Sequence, residues 1–260
     1  MTARITCHRK GRVAHVTIEN PDAANALTAE MKVALAEAWS WIDTTPDIHV
    51  AVLTGAGDRH FCAGADVRRL AAQGAAGESA TARVAFAPHM AACRKPIIVA
   101  VNGAVAGAAI GLVADGDVVI ASRNAYFTDP HVDIGIVTGY GCIRLAGILP
   151  ATEVRRLALG GRAVRLDAER AHGLGFVNEL FETPELARQR AMEIAASISA
   201  RSPWAIETSL ELLRSVNLTN HVTARALEIT DQEWARPDVR AGTAAWSTRR
   251  DGWSEADEAT

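Results

Sequence analysis

Pro96 to His131 reads PIIVAVNGAVAGAAIGLVADGDVVIASRNAYFTDPH. Ile97 to Val101 is apolar without a polar face, which predicts a strand buried on both sides. Asn102-Gly103 breaks it, and the Gly- and Ala-rich segment that follows, centred on Gly107, has so little bulk that another backbone or a ligand can approach closely. A helix is predicted to begin there. The N–H groups of its first turn lack intrahelical acceptors and suit an oxygen on which negative charge develops. The stretch reads as an oxyanion site.

Towards the N-terminus, Val13 to Glu19 alternates, with Val16 and Ile18 on one face and His15 and Thr17 on the other. Asn20-Pro21-Asp22 ends that strand. Thr28 is placed to cap a helix running to about Asp43, with Met31, Leu35, Ala38 and Ile42 at helical spacing. Val50 to Thr54 is a second buried strand, and a Gly- and Ala-rich loop leads from it to a helix starting near Asp66. Gly74 to Gly77 suggests a link or lid before a helix carrying Val84, Phe86 and Met90. Val118 to Ala121 and Tyr126 to Thr128 are further strands. Beyond Ala151 helices dominate, at Pro184 to Ser199, Pro203 to Arg214, Asn220 to Ala235 and Asp238 to Arg250. The order of elements predicts an α/β fold with a mostly parallel sheet and a helical last third.

The chain has 260 residues, of which 49% are hydrophobic, enough to bury the core of one domain or one and a half. Its formal charge of -3 offers no basic field, so neither nucleic acid nor an anionic membrane is expected as a partner. No apolar run approaches the ~20 residues of a membrane span, and Met1 to Arg4 leads into a strand pattern rather than a signal sequence. A cytoplasmic protein is expected. Cys7, Cys62, Cys93 and Cys142 are scattered without metal-ligand spacing and read as buried thiols. The eight histidines form no metal-binding pattern, so no metal is expected. Gly55-Ala56-Gly57 lacks the third glycine of a dinucleotide fingerprint.

Four blocks then appear in a recognisable order. They are Asn20-Pro21 with Asn25-Ala26-Leu27; Phe61-Cys62-Ala63-Gly64-Ala65-Asp66; Lys95-Pro96 through Asn102-Gly103 and Gly107 to Asp117; and Gly160-Gly161-Arg162 with Ala168, Ala171, Gly173-Leu174-Gly175 and Val177-Asn178. With the tail from Pro237 to Gly242, these make the chain resemble the crotonase superfamily, the enoyl-CoA hydratase and isomerase fold. The resemblance implies a spiral of ββα units over residues 1–195, a helical trimerisation region over 196–260, and a homotrimer or dimer of trimers. It also implies an acyl-CoA thioester as substrate, with CoA part of that substrate and no separate cofactor. The backbone N–H groups of Ala65 and Ala108 would hold its carbonyl, and Ala63, Gly64, Asp66, Gly107, Gly111 and Tyr140 would lie along it.

Hydratases of this family carry two glutamates, and the matching positions here are Gly111 and His131. Gly111 has no acid or base to offer, so ordinary hydration is not expected. A histidine, whose unperturbed pKa is about 6.5, can take up and return a proton near neutral pH. His131 therefore reads either as the single acid-base group or as a histidine hydrogen-bonded into the loop after Pro130. Asp133 would share a face with it in an extended segment and could orient the ring. The expected chemistry is isomerisation or hydrolysis. The alternatives are a β-dicarbonyl C–C hydrolase, which resembles this chain at Pro130-His131 but has a carboxylate where Tyr140 stands, and a catalytically silent CoA-binding or assembly subunit.

Overall fold

The computed structural model describes residues 3–66, 84–134 and 138–215. The helix expected after Asp66, the Gly74 to Gly77 link and the two helices expected beyond Asn220 lie outside them. The chain divides into two units, Met1–Arg201 and Ser202–Thr260.

In the first unit, β1 (Arg4–Lys10) and β2 (Val13–Glu19) form an antiparallel hairpin in unbroken register, Arg4 opposite Glu19 and Lys10 opposite Val13. The sheet then continues in parallel through β3 (Val50–Gly55), β5 (Ile97–Val101), β7 (Val118–Ser122) and β10 (Glu179–Phe181). A second sheet holds β4 (His60–Cys62), β6 (Ala104–Ala106) and β8 (Tyr126–Thr128) in parallel, closed by antiparallel β9 (Leu166–Asp167). Each long strand β3, β5 and β7 thus feeds a short strand of the second sheet. This is the mixed α/β spiral that the sequence predicts, and β5 is buried along its whole length.

Helix α1 (Ala29–Thr44) starts where Thr28 Oγ1 accepts from Met31 N, and buries Met31, Leu35, Ala38, Trp39 and Ile42 against the sheets. Helix α2 (Ala109–Ala114) follows β6, and α3 (Tyr140–Leu145) packs on it. Helices α4 (Ala151–Gly160), α5 (Ala168–Gly173) and α6 (Pro184–Ser199) complete the unit, with Ala187, Ala191 and Ala195 of α6 on the outer face of the six-stranded sheet. In the second unit, α7 (Pro203–Arg214) is capped by Ser202.

The segment around Val84, Phe86 and Met90 is not a helix but extended chain and turns. Pro88 brings no N–H and disfavours helical geometry at Ala87. The Phe86 carbonyl, which a helix would use internally, instead accepts from Trp39 Nε1 at 2.7 Å.

Asparagines of the sequence blocks hold the loop between β3 and β4. Asn102, fully buried at the end of β5, accepts from Gly55 N (3.0 Å) and donates to the carbonyls of Gly57 (2.8 Å) and His60 (3.0 Å). Asn25 donates to Ala56 O and His60 O, both at 2.9 Å. Replacing Asn102 by Ala strands several buried backbone groups at once, and each such group costs about 1 to 3 kcal/mol. Asn102→Ala is expected to lower unfolding stability by ~2 to 4 kcal/mol in a urea titration; a loss under ~1 kcal/mol would mean that the loop holds itself.

Candidate active site

Strands β4 and β6 pair side by side, His60 with Ala104 and Cys62 with Val105, and the chain turns just past both. Beyond β4, Leu27 N donates to Gly64 O (2.7 Å) and Asp66 N donates to Leu27 O (3.0 Å). Those bonds flank Ala65 in a parallel bridge with Leu27, so the N–H of Ala65 points the other way, towards the β6 side. Gly64 makes the approach possible. Its φ is +85°, and a Cβ there would sit 2.6 Å from Ala106 O and 3.2 Å from Ala108 N.

Beyond β6, Gly107 (φ +53°) turns the chain after donating to Thr128 O at 3.0 Å, and Ala108 becomes the N-cap of α2. The carbonyls of Gly107 and Ala108 accept from Ile110 N (3.0 Å) and Gly111 N (3.2 Å). Among the described residues, neither the Ala65 nor the Ala108 N–H donates to a protein acceptor. The two expected donors therefore sit on adjacent strand ends with their hydrogens available.

His131 lies over this turn. A Cβ on Gly107 would meet its Cε1 at 3.5 Å and its Nε2 at 3.9 Å, and one on Gly139 would meet both at 3.9 Å. The Nε2 edge faces the gap between those glycines. At the other edge, Nδ1 hydrogen-bonds the carboxylate of Asp129, which is 1% exposed. Asp129 also accepts from Thr138 Oγ1 and from Cys142 Sγ, the latter at 3.0 Å. Burial opposes its charge, but the hydrogen bonds from His131, Thr138 and Cys142 outweigh it and hold the carboxyl at about 2. An ionised Asp129 can only accept, so Nδ1 carries a hydrogen; in the neutral form of the ring the lone pair is then on Nε2, at the gap.

Asp133 is not the orienting group. Residues Pro130–Ile134 form a 3-10 turn rather than an extended segment, so residues two apart face different ways. Its carboxylate accepts from Arg162 N (2.8 Å), where it fastens the turn at Gly161. Asp129, which sequence reasoning missed, does the work instead. Its signal was present, a carboxylate immediately before Pro130-His131, but an Asp-Pro pair reads first as a turn.

Tyr140 stands over Gly111, where a Cβ would lie 2.8 Å from its Cδ1. Its hydroxyl donates to Asp115, with the two carboxylate oxygens at 2.9 and 3.0 Å. Asp115 is fully buried and also accepts from Arg144 Nε and His89 N, each at 2.9 Å. Arg144 reaches His89 Nδ1 at 2.8 Å as well. Burial raises the pKa of Asp115 despite these donors, and burial with the neighbouring carboxylate raises that of Tyr140. Of the other expected residues, Ala63 donates to Ala24 O at 3.1 Å and Asp66 borders the Leu27 bridge, so both shape the loop that presents Ala65.

Residues 8–255 match the family model described as enoyl-CoA hydratase/isomerase. The chain belongs to this family. It is 33% identical over 225 residues to the mevalonyl-coenzyme A hydratase of Aspergillus fumigatus, covering 85% of this chain and 82% of that one. It is 32% identical over 219 residues to the peroxisomal Delta(3,5)-Delta(2,4)-dienoyl-CoA isomerase of Arabidopsis thaliana, covering 78% of each. Among solved structures, an enoyl-CoA hydratase/isomerase from Mycobacterium paratuberculosis superposes with a TM-score of 0.82 at 32% identity, covering 94% of this chain and 95% of that chain. As a member of the enoyl-CoA hydratase/isomerase family, the chain is an enzyme.

The Tyr140 ring fixes what Gly111 can become. Gly111→Glu is expected to cost about 1 to 3 kcal/mol through overpacking and to bring no gain in crotonyl-CoA hydration. The double variant Gly111→Glu with Tyr140→Ala should recover part of that stability. A single variant as stable as the parent would show that Tyr140 swings aside freely.

Proposed function

We propose that this enzyme transfers a proton on an acyl-CoA thioester, with His131 as its single acid-base group, and that double-bond isomerisation is its reaction. The observation that carries the reading is the Asp129–His131 pair beside the turn that presents Ala108. In this reading the thioester oxygen lies between the N–H groups of Ala65 and Ala108. Nε2 of His131 removes a proton from carbon, the electron pair moves onto the oxygen as an enolate, and the same imidazolium returns the proton to another carbon of the conjugated system. Backbone donors need no reorganisation as charge builds, and one such donor is worth ~2.7 to 4 kcal/mol in the transition state.

Asp129 also favours a second reading. A histidine oriented by a carboxylate can activate water, which gives hydrolysis of a thioester or of a β-dicarbonyl C–C bond. The carboxylate missing at Tyr140 is supplied in this reading from Asp129. The names of the relatives, a hydratase and an isomerase acting on CoA thioesters, support acyl-CoA as the substrate class.

Ordinary hydration needs a second acid-base group, and Gly111 offers none. Crotonyl-CoA hydration is expected to be at least ~10² slower than in a relative with both glutamates. Efficient hydration would contradict the assignment.

The catalytic role of His131 makes its own demands. His131→Gln should lose ~10² to 10⁴ in rate with little change in acyl-CoA affinity or Tm. Ala108→Pro, which deletes the N–H, should abolish turnover in a folded protein. A His131→Gln enzyme that keeps its turnover would leave the ring a merely structural role and favour a silent CoA-binding subunit.

A further inference from the structure

Lys32 is only 9% exposed, on the core side of α1 between Met31 and Leu35. A buried ammonium is costly unless it is paired. Its Nζ lies 5.6 Å from the centroid of the Phe86 ring. Burial pulls its pKa below the usual lysine range, and among the described residues the group that favours its charge is Cys62. That thiol is itself pushed up to about 12 by burial, so it is neutral near pH 7 and supplies no counter-charge. Among the described residues, no carboxylate favours the charge of this largely buried lysine.

Its place in the fold points to the anion it awaits. Helix α1 starts just after Leu27, the residue that brackets Ala65. Side chains on a helix lean towards its N-terminus, so Lys32 projects back towards that bridge. Cys62, which is near enough to influence its charge, lies three residues before Ala65. Phe86, on its other side, opens the segment whose His89 is bonded into the Asp115 cluster beneath Tyr140. Lys32 is thus flanked by the two stretches that border the proposed acyl site, one beside the oxyanion donor and one beside the Tyr140 wall.

We propose that Lys32 is a specificity-determining residue that pairs with a carboxylate carried by the acyl group, so that the substrate is a dicarboxylic acid monothioester of CoA. The inference rests on the acyl-CoA reading of the site. The ammonium lies over the Phe86 ring, and an arriving carboxylate would supply the counter-charge that the described residues do not. An arginine would not serve as well here, because its planar fork needs more room and more acceptors than a compact ammonium.

The test compares shape-matched pairs of ligands on the full-length protein. Succinyl-CoA is measured against 4-methylvaleryl-CoA, and glutaryl-CoA against 5-methylhexanoyl-CoA, by calorimetric titration of the parent and of Lys32→Met. For at least one pair the parent should prefer the carboxylated member by ~10-fold or more, as expected for a desolvated charge pair. In Lys32→Met that ratio should fall to about one. Its Tm should equal or exceed that of the parent, because an unpaired buried charge has been replaced by an apolar side chain of similar length. A parent that binds neutral members as tightly as carboxylated ones would overturn the proposal while leaving the acyl-CoA reading intact. Failure of every acyl-CoA to bind would overturn both. A lower Tm in Lys32→Met with the binding ratio unchanged would make Lys32 a packing residue and overturn the proposal as well.

Discussion

The close approach of two strand ends is the constraint on which the site depends. Gly64 lies so near Ala106 O and Ala108 N that a Cβ would collide, and in the proposed mechanism that proximity lets two N–H groups on separate strands address one oxygen. The rest of the architecture serves this contact. The bonds of Leu27 fix Ala65 from one side, Thr128 fixes Gly107 from the other, and the asparagines at 25 and 102 hold the loop that delivers β4. Backbone groups held in this way are already arranged for a negative oxygen before substrate arrives, which is why such sites stabilise charge at little reorganisation cost.

On that base, the side chains decide the chemistry. The resemblance leads one to expect glutamates at the positions of Gly111 and His131. The Tyr140 ring covers Gly111, and Asp115 fastens the phenol from within the protein. His131 has a partner in Asp129, whose carboxylate is kept ionised by the ring itself, Thr138 and Cys142. Each of the two positions thus has its own local arrangement. In the proposed mechanism, the first leaves no acid-base group and the second orients the one that remains.

Much of the fold was legible because burial imposes simple patterns. Ile97 to Val101 has no polar face, Val13 to Glu19 alternates, and Thr28 caps a helix with regular apolar spacing; all three elements stand where those patterns put them. Strands β4 and β6 were not legible, since three residues are too few for a period. The helix expected around Phe86 failed on Pro88. In the site, the tight turns at Gly64 and Gly107 could be read from glycine and alanine content together with the family resemblance. Asp129 could not, because a carboxylate before proline looks like turn chemistry and its partners, Thr138 and Cys142, arrive from later in the chain. Asp133 was misassigned because the segment was taken as extended. Lys32 escaped notice for a related reason: a lysine in a helical pattern reads as solvent-facing until the packing shows it buried.

The central claim is that His131, oriented by Asp129, moves a proton to and from carbon while the enolate oxygen rests on two backbone donors. The most direct measurement is isotope exchange in D2O. An enoyl-CoA or acyl-CoA ligand that binds the protein is incubated with it, and deuterium entering the carbon next to the thioester is followed by NMR. The account predicts exchange well above the buffer rate with the parent enzyme and near the buffer rate with Asp129→Asn, which still binds the ligand but no longer fixes the ring with an ionised acceptor. Exchange that is absent in the parent, or equally fast in Asp129→Asn, would contradict it.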